Sequence, residues 1–341
     1  MPGQLPPTSD DRAIWDAWES MFRLPVVTVA DEAGIFRALG DRAMTLEELA
    51  ADRGFDPHPL AILLAALASS DLVEKRDGKW RAMPTARTWL HPDAEGYWGG
   101  FLGSMRERTG MHAQLMEALK TGKRPASTRS GAPEWERGEM SAEAAERIAA
   151  FMHAHSQAPA LGAAAQSIFG EVRHLMDVGC GSGVYGIEIA RAHPGLNVTL
   201  MDLTAMADEA GHYVQRAGLA DRVGTAGVNM FTEDWPTEPD AHFFSNVFHD
   251  WSDETCRLLA RKSFAALPSG GRIFLNEILM DDDGTGPWHA ASFSLLMLLG
   301  TLGKQYSLPE FRDMLEDAGF VEVEAQRTGG GYYSLVSAGK P

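Results

Sequence analysis

The amino-acid sequence predicts an α/β fold, in which a mostly parallel sheet with helices on both faces follows a helical N-terminal region. From His174 onward, short apolar segments typical of strands alternate with helical segments, the pattern of parallel strands joined by helical crossovers. The strand candidates are HLMDV, NVTLMDL, VGTAGVNM, AHFFSNVF and RIFLNEIL. Two further candidates, VEVEAQR and YYSLVSA, lie close together after residue 320 and indicate an antiparallel hairpin.

The region before this sheet, residues 11–95, is predicted to contain helices followed by a short hairpin. Thr45 with Glu48 three residues later has the spacing of a capping box at a helix start. A longer apolar helix is expected over residues 57–69, and two short strands should flank the turn at residues 77–78. Helix, helix and hairpin in this order are the winged-helix pattern, so a winged-helix-like domain is predicted here.

Winged helices often bind DNA, but the charge of this chain argues against a nucleic-acid partner. The formal net charge of -17 would repel a phosphate backbone. The second helix of the pair, residues 57–69, contains no Lys or Arg, whereas a recognition helix needs basic and polar side chains. We therefore expect this apolar helix to be buried, with a homodimer interface as one place that would bury it.

Composition indicates a soluble, cytoplasmic protein with a sizeable core. Apolar residues make up 45% of the 341 residues, which suits about two domains. The two cysteines, Cys180 and Cys256, fit neither a disulfide framework nor a four-ligand zinc site, so free thiols and no metal are expected. The N-terminal segment lacks the apolar stretch of a signal peptide, and Leu60–Ala68 is too short to span a bilayer. No membrane partner is expected.

The strongest local motif is MDVGCGSGVYG, residues 176–186, where a predicted strand enters a glycine-rich turn that begins a helix. Glycines allow a tight turn and a close approach of the backbone to a ligand. Asp202 ends the next predicted strand, where its carboxylate can accept hydrogen bonds from two ribose hydroxyls. The spacing also fits a nicotinamide dinucleotide, so the motif leaves two cofactors open. Asp177, ahead of the first glycine, favours S-adenosylmethionine because it would repel a pyrophosphate.

The segment FFSNVFHDWSDE, residues 243–254, resembles the His-Asp-Trp region of the plant caffeate-type and bacterial small-molecule O-methyltransferases. The resemblance covers nearly the whole chain and includes LMDVGCGSG as the cofactor loop and GGRIFLNEIL as a late core strand. It implies a methyltransferase that uses S-adenosylmethionine and acts on a small molecule. The implied domains are a winged-helix-like dimerisation domain at 11–95, a helical acceptor-pocket region at 96–165 and a Rossmann-like catalytic domain at 166–341.

The same resemblance implies roles for single residues. The catalytic set is His249 as base, Glu277 as the carboxylate that orients it, Asp250 and Gln305. The cofactor-binding set is Asp177, Gly179, Gly181, Gly183, Asp202, Leu203, Asn229, Met230 and Ser245. The acceptor is expected to contact Met152, His155, Met297 and Tyr306.

Methyl transfer to a hydroxyl oxygen benefits from a histidine base, because the hydroxyl is mostly protonated at neutral pH. The chain departs from the family at three of these positions. Asn229 replaces an acid, and we expect its side-chain oxygen to accept from the adenine amino group. Gln305 replaces a carboxylate and would support an imidazolium less well. Ser245 replaces a lysine.

If Gln305 makes His249 a weaker base, sulfur is a second candidate for the atom that accepts the methyl group. Thioether sulfur has a free lone pair at any pH, so S-methylation of a small thioether acid, such as methylthiohydroxybutyrate, is the alternative to O-methylation and would give a sulfonium. A more distant alternative is a winged-helix regulator whose C-terminal domain senses a ligand.

Overall fold

The computed structural model describes residues 11–94, 97–106, 110–125, 135, 137–329 and 332–341. Contacts within the chain divide it into two compact units. The helical unit comprises the described parts of Ile14–Ser130 and Met280–Ser307. The sheet unit comprises the described parts of Met1–Ala13, Gly131–Leu279 and Leu308–Pro341.

Helices and one hairpin build the helical unit. Its helices are α1 (Arg12–Glu19, which begins just before the unit), α2 (Arg23–Glu32), α3 (Ile35–Leu39), α4 (Leu46–Arg53), α5 (Pro57–Ala68), α6 (Pro84–Trp89), α7 (Gly99–Arg106), α8 (Gly110–Thr121) and, later in the chain, α13 (Trp288–Gly300). The hairpin pairs β1 (Val73–Arg76) with β2 (Lys79–Ala82) in antiparallel register. The predicted order of helix, helix and hairpin is present in α4, α5, β1 and β2.

The capping box at the start of α4 is confirmed. Glu48 N donates to Thr45 Oγ1 at 3.2 Å, and Thr45 N donates to Glu48 Oε2 at 2.9 Å. Two of the backbone donors that a helix start leaves unpaired are therefore satisfied. The hairpin turn is also as predicted, since Asp77 and Gly78 both have positive φ, 51° and 74°, as a two-residue type I′ turn requires.

Helix α5 is buried by its own unit. Leu60, Leu64 and Leu67 have no exposed surface, and α5 packs against α4 and α13. The prediction that this apolar helix is buried is therefore confirmed within its own unit, and the homodimer stays a prediction.

The sheet unit contains, within the described residues, a seven-stranded sheet. Its strands are β3 (His174–Val178), β4 (Asn197–Asp202), β5 (Val223–Gly227), β6 (Ala241–Ser245), β7 (Arg272–Glu277), β8 (Val321–Arg327) and β9 (Ser334–Gly339). They lie in the order β5-β4-β3-β6-β7-β9-β8. The first five are parallel, and β9 is antiparallel to both of its neighbours, so the predicted parallel sheet with a final hairpin is confirmed.

Helices cover this sheet and complete its core. They are α9 (Ala142–Ala164), α10 (Val184–Ala192), α11 (Thr204–Ala217), α12 (Asp253–Ala266) and α14 (Leu308–Ala318). Helix α9 packs against α10 and α11. Fully buried Phe169, Phe243 and Phe274 lie in contact between the sheet and its flanking segments.

The strand order reverses between β3 and β6, because β4 and β5 extend the sheet to one side and β6 and β7 to the other. In open α/β sheets a ligand binds where the order reverses, beside the carboxyl ends of the two strands. The fold therefore directs attention to the turns that follow β3 and β6.

The division into three domains at residues 95 and 165 stays a prediction. The two compact units have their limits at other residues, after 13, 130, 279 and 307. The boundary predicted between residues 95 and 96 lies outside the described residues. Helix α9, predicted to belong to a separate region ending at 165, belongs to the sheet unit, and Met280–Ser307 belongs to the helical unit. Among the described helices, none is both long and apolar enough to cross a membrane.

A Thr45→Ala variant is expected to lose about 1 kcal/mol of unfolding free energy, because the backbone N–H of Glu48 loses its acceptor. Glu47→Ala is the matched control, since Glu47 is exposed in the same turn and takes no part in the capping box; its loss should be about 0.3 kcal/mol. Urea denaturation followed by circular dichroism measures both. Equal losses in the two variants would contradict this role of the capping box.

Candidate active site

The turn after β3 depends on glycine for both conformation and space. Gly179, Gly181 and Gly183 have φ of 70°, 55° and 75°, which side-chain-bearing residues rarely adopt. A Cβ at Gly183 would lie 2.4 Å from Leu200 Cδ1 on the neighbouring strand, and one at Gly179 would lie 2.9 Å from Val247 Cγ2. The turn therefore lies directly on the ends of β4 and β6.

Asp202, at the end of β4, holds this turn through both carboxylate oxygens. Gly181 N donates to Oδ2 at 2.9 Å, and Leu203 N donates to Oδ1 at 2.7 Å. Burial raises the pKa of Asp202 to about 6, against the opposing effect of these two donors. Each oxygen keeps a second lone pair, so the carboxylate can still accept from a pair of ribose hydroxyls.

Asp177, near the end of β3, connects the strand to the helix that follows the turn. Its Oδ2 accepts from Gly186 N at 3.1 Å, in the first turn of α10. The residue is 2% exposed, and burial raises its pKa to about 7. Because the carboxylate is buried and partly protonated at neutral pH, its charge is a weaker reason to exclude a pyrophosphate than the sequence suggested.

A cavity of about 690 Å³, open to solvent, lies over the turn. Eight of the predicted site residues line it: Met152, Gly179, Gly181, Asp202, Leu203, Asn229, Met230 and Asp250. Nine lining residues were not predicted: Trp135, Ile148, Met201, Met206, Val228, Phe231, Asn246, Val247 and Trp251. Asp177, Gly183 and Ser245 lie in the same unit but do not line the cavity.

The lining suits a nucleoside with a charged tail. The acceptor oxygens of Asp202 can bind a ribose, and a flat base can pack on Met206, Met230 and Phe231, whose ring lies edge-on to Trp251 at 4.7 Å. The Asp202 carboxylate, which is mostly ionised at neutral pH, favours a ligand that bears positive charge, and Asp250, with a pKa of about 7, adds a partial charge. S-adenosylmethionine, with its adenosine and sulfonium, fits this set of groups.

Asn229 lines the cavity, but its oxygen is not available for the adenine amino group as expected. Phe231 N and Thr232 N donate to Asn229 Oδ1 at 2.9 and 3.4 Å. This turn, in which an amide oxygen caps the following backbone, leaves the amide NH₂ as the main group for a ligand. The expectation that the side-chain oxygen binds the base was therefore wrong.

Ser245 uses its hydroxyl inside the sheet. It donates to the Asn276 carbonyl oxygen at 3.1 Å and accepts from Asn276 Nδ2 at 3.0 Å. With only 7% of its surface exposed, the side chain joins β6 to β7. A cofactor-binding role of Ser245 has no support in this geometry.

His249 lies in a one-turn helix, Phe248–Asp250, that follows β6. Its Nδ1 is 2.9 Å from Glu277 Oε2, and its Nε2 is 3.8 Å from Asp250 Oδ1. Glu277 ends β7, and its other oxygen accepts from Val247 N at 3.1 Å. Three of the predicted catalytic residues, which come from the ends of adjacent strands, thus meet at one point.

Two opposing effects set the proton affinity of His249. Burial disfavours the imidazolium, but the charges of Glu277 and Asp250 and the contact with Glu277 outweigh burial, so the pKa of His249 is raised from 6.5. Burial also raises the pKa of Asp250 to about 7, against the opposing effect of His249. A buried histidine held between two carboxylates is suited to take up a proton near neutral pH.

Two predicted acceptor residues lie on α9. Met152 lines the cavity, and His155 is near enough to His249 to respond to its charge. Burial, followed by the charge of His249, lowers the pKa of His155 to about 4, so His155 is neutral at working pH. A neutral histidine can offer one donor and one acceptor to a polar group.

The remaining predicted residues, Gln305, Met297 and Tyr306, belong to the helical unit and are buried there. Gln305 N donates to Ser294 Oγ of α13 at 3.0 Å. Their roles in orienting the base or binding the acceptor stay predictions.

Sequence reasoning missed a buried polar network behind the turns. Tyr333 donates its hydroxyl to Asn246 Oδ1 at 2.9 Å, and Asn246 has a positive φ of 56° directly after β6. Asn246 also lines the cavity. An asparagine at a strand end, where the left-handed conformation is tolerated, was the available sequence signal.

Comparison with known families matches residues 112–321 to the O-methyltransferase domain. A 3-hydroxy-5-methyl-1-naphthoate 3-O-methyltransferase from Streptomyces sahachiroi is 33% identical over 329 residues, which cover 95% of this chain and 94% of that protein.

Two solved structures share the fold. An O-methyltransferase family 2 protein from Planctomyces limnophilus, in complex with apigenin, has a TM-score of 0.84 at 23% identity and covers 99% of this chain and 98% of its own. Human N-acetylserotonin methyltransferase in complex with S-adenosylmethionine has a TM-score of 0.59 at 22% identity, and the match covers 98% of this chain and 99% of that chain. With the domain match over most of the chain and a relative of 33% identity along nearly all of it, the protein belongs to the O-methyltransferase family and is a methyltransferase that uses S-adenosylmethionine.

Proposed function

We propose that this enzyme transfers the methyl group of S-adenosylmethionine to a hydroxyl oxygen of an aromatic small molecule, with His249 as general base. The observation that carries the proposal is the buried contact of 2.9 Å between His249 Nδ1 and Glu277 Oε2. A carboxylate at this nitrogen keeps the proton on Nδ1, so that Nε2 is the unprotonated nitrogen of the neutral ring and can act as the base.

The chemistry follows from that arrangement. Nε2 of His249 accepts the hydroxyl proton as the oxygen attacks the methyl carbon, the carbon–sulfur bond breaks, and S-adenosylhomocysteine leaves. Glu277 stabilises the imidazolium that forms, and Asp250 lies on the Nε2 side, between the base and the cavity. When the transfer is complete, the proton lies on His249 and is released to solvent.

Two related proteins support an aromatic acceptor. The relative from Streptomyces sahachiroi is named for methylation of the 3-hydroxyl of a naphthoate. The Planctomyces limnophilus protein was solved with apigenin. Polycyclic or flavonoid-like phenols are therefore the first acceptors to test on this enzyme.

A homodimer remains part of the proposal. Support comes from apolar side chains on α1 to α2 that are exposed in the single chain, Ile14 at 72%, Met21 at 42% and Leu24 at 38%. Large apolar side chains exposed close together in sequence would suit a protein interface if they form one patch.

His249→Ala is expected to lower kcat on a phenolic acceptor by about 10²- to 10⁴-fold, because the hydroxyl proton loses its acceptor. The affinity for S-adenosylhomocysteine should change little, since His249 does not line the cofactor cavity. Release of S-adenosylhomocysteine measures the first quantity and calorimetry the second.

His212→Ala is the matched control for this variant, because His212 is an exposed histidine on α11, and it should stay fully active. A His249→Ala enzyme that keeps most of its activity on a thioether acid, and has none on phenols, would instead support S-methylation.

Glu277→Gln is expected to move the pH profile to lower pH. In the native enzyme the free base is the active form, so kcat/KM should rise with pH through an apparent pKa above 6.5. Removing the Glu277 charge leaves burial as the main effect on His249, which lowers its pKa, and the plateau should fall by roughly tenfold or more because the imidazolium is less stable.

The profile should be measured between pH 5 and 9 with an acceptor that does not ionise in that interval. Glu324→Gln, an exposed carboxylate on β8, is the control. An unchanged rising limb in Glu277→Gln would count against the base assignment.

The affinity for S-adenosylhomocysteine should fall as pH falls below about 6, the pKa of Asp202 in the free enzyme. The ionised carboxylate accepts from the ribose, so protonation competes with binding by up to about tenfold per pH unit. Calorimetry between pH 5 and 8 measures the slope.

Asp202→Asn should bind more weakly at pH 8 and lose most of this slope; any slope that remains reports on another group, such as Asp177. An affinity of the native enzyme that is constant from pH 5 to 8 would contradict ribose binding by the Asp202 carboxylate.

A further inference from the structure

Helix α9 contacts the glycine turn through one polar residue that has no assigned role. His153 Nδ1 lies 3.3 Å from Ser182 Oγ, and Ser182 is the residue between Gly181 and Gly183. Ser182 is 1% exposed and does not line the cavity, so its hydroxyl is directed away from the cofactor. We infer that His153 is a positioning residue, which fixes the turn through Ser182 and thereby sets the affinity for S-adenosylmethionine.

The neighbour on the other ring nitrogen determines the direction of this hydrogen bond. Gln157 Nε2, one helical turn further along α9, lies 2.9 Å from His153 Nε2. An amide NH₂ can only donate, so Nε2 of the histidine accepts and the ring proton is on Nδ1. His153 therefore donates to the Ser182 hydroxyl.

The ring of His153 is held in this orientation from a second helix. Tyr213 of α11 packs against it with ring centroids 4.4 Å apart, and the Arg216 guanidinium lies 4.1 Å from the Tyr213 centroid. The imidazole is thus fixed by Gln157 on its own helix and by an aromatic contact from α11. A donor immobilised in this way loses little entropy when it binds the turn.

The glycine turn needs such an anchor because its glycines offer no side chains to hold it. Asp202 ties the turn at Gly181 N, on the side of β4. Ser182 is the next residue, and His153 ties it on the side of α9. If either hydrogen bond is removed, the turn can occupy more conformations. The cofactor must then order the turn when it binds, which lowers the affinity.

The adjacent residue links the same helix turn to the cofactor itself. Met152 lines the cavity, and a Cβ at Gly181 would lie 3.9 Å from Met152 Cβ. Met152 therefore contacts the cofactor space directly, while His153 acts on it through the backbone of the turn. This inference depends on the proposed cofactor site at Gly179–Gly183 and Asp202.

Substitutions that mimic one ring nitrogen at a time test the inference. The amide of His153→Asn can place a donor near the position of Nδ1, whereas that of His153→Gln lies near Nε2. We expect His153→Ala and Ser182→Ala each to raise the Kd of S-adenosylhomocysteine and the KM of S-adenosylmethionine roughly five- to tenfold. His153→Asn should restore most of this loss, and His153→Gln should not.

The value of kcat at saturating cofactor should change far less than KM in all four variants, which separates positioning of the turn from a general loss of structure. The double variant with both alanines should be no worse than either single variant, because both remove one interaction. Thermal melts without cofactor identify any variant that fails to fold. If His153→Ala fails to fold, the cofactor affinities of His153→Asn, His153→Gln and Ser182→Ala test the inference.

Asp202→Ala separates failure of this inference from failure of the proposed site. If Asp202→Ala binds S-adenosylhomocysteine as the native enzyme does, the cofactor site itself is misplaced. If Asp202→Ala weakens binding while His153→Ala and Ser182→Ala do not, the site stands and the positioning role of His153 is overturned. A loss of kcat with unchanged cofactor affinity in His153→Ala would also overturn it.

Discussion

The hydrogen bonds between Asp202 and the glycine turn are the constraint on which the rest of the site depends. Strands β3 and β4 are parallel neighbours with Val178 opposite Met201, so Asp202 comes beside the start of the turn. There its carboxylate accepts from Gly181 N and Leu203 N. A register shift of one residue would turn the carboxylate to the other face of the sheet and leave the turn without its acceptor. The conformation of the turn at the proposed cofactor site therefore depends on the pairing of two strands.

The proposed base depends on the other half of the sheet in the same way. Strands β6 and β7 pair with Ser245 opposite Asn276, which brings His249, shortly after β6, to Glu277 at the end of β7. Burial alone would lower the pKa of His249; the Glu277 and Asp250 charges and the contact with Glu277 reverse that effect. The groups that we propose to bind the cofactor and to accept the proton thus lie at the carboxyl ends of four neighbouring strands, on either side of the point where strand order reverses.

The glycine turn and Asp202 could be predicted from the pattern of the sequence, because apolar segments bounded by turn residues locate the strands and Asp202 is a polar residue at a strand end. His249, Glu277 and Met152 were expected only because of the family resemblance. Two lining residues, Trp135 and Ile148, could not be found in this way, because both precede the sheet in sequence; Ile148 lies on α9, which packs against α10 and α11. The expected burial of α5 is confirmed, but the element that buries it could not be predicted, since the α13 helix that packs on it lies more than 200 residues further along the chain.

Two of the three departures from the family pattern have local structural consequences that sequence alone does not reveal. At residue 229 the side-chain oxygen accepts from the backbone N–H groups of Phe231 and Thr232, a task that an aspartate would perform equally. Asparagine and aspartate differ at the second side-chain atom, which is an NH₂ donor in asparagine and an acceptor oxygen in ionised aspartate. Ser245 is used by the sheet, since it exchanges hydrogen bonds with Asn276 on the paired strand. A lysine there would have to bury an ammonium group or leave that pairing. In the proposed cofactor site, the groups that remain for the adenosine are therefore Asp202 and the apolar and aromatic lining residues, rather than charge at these two positions.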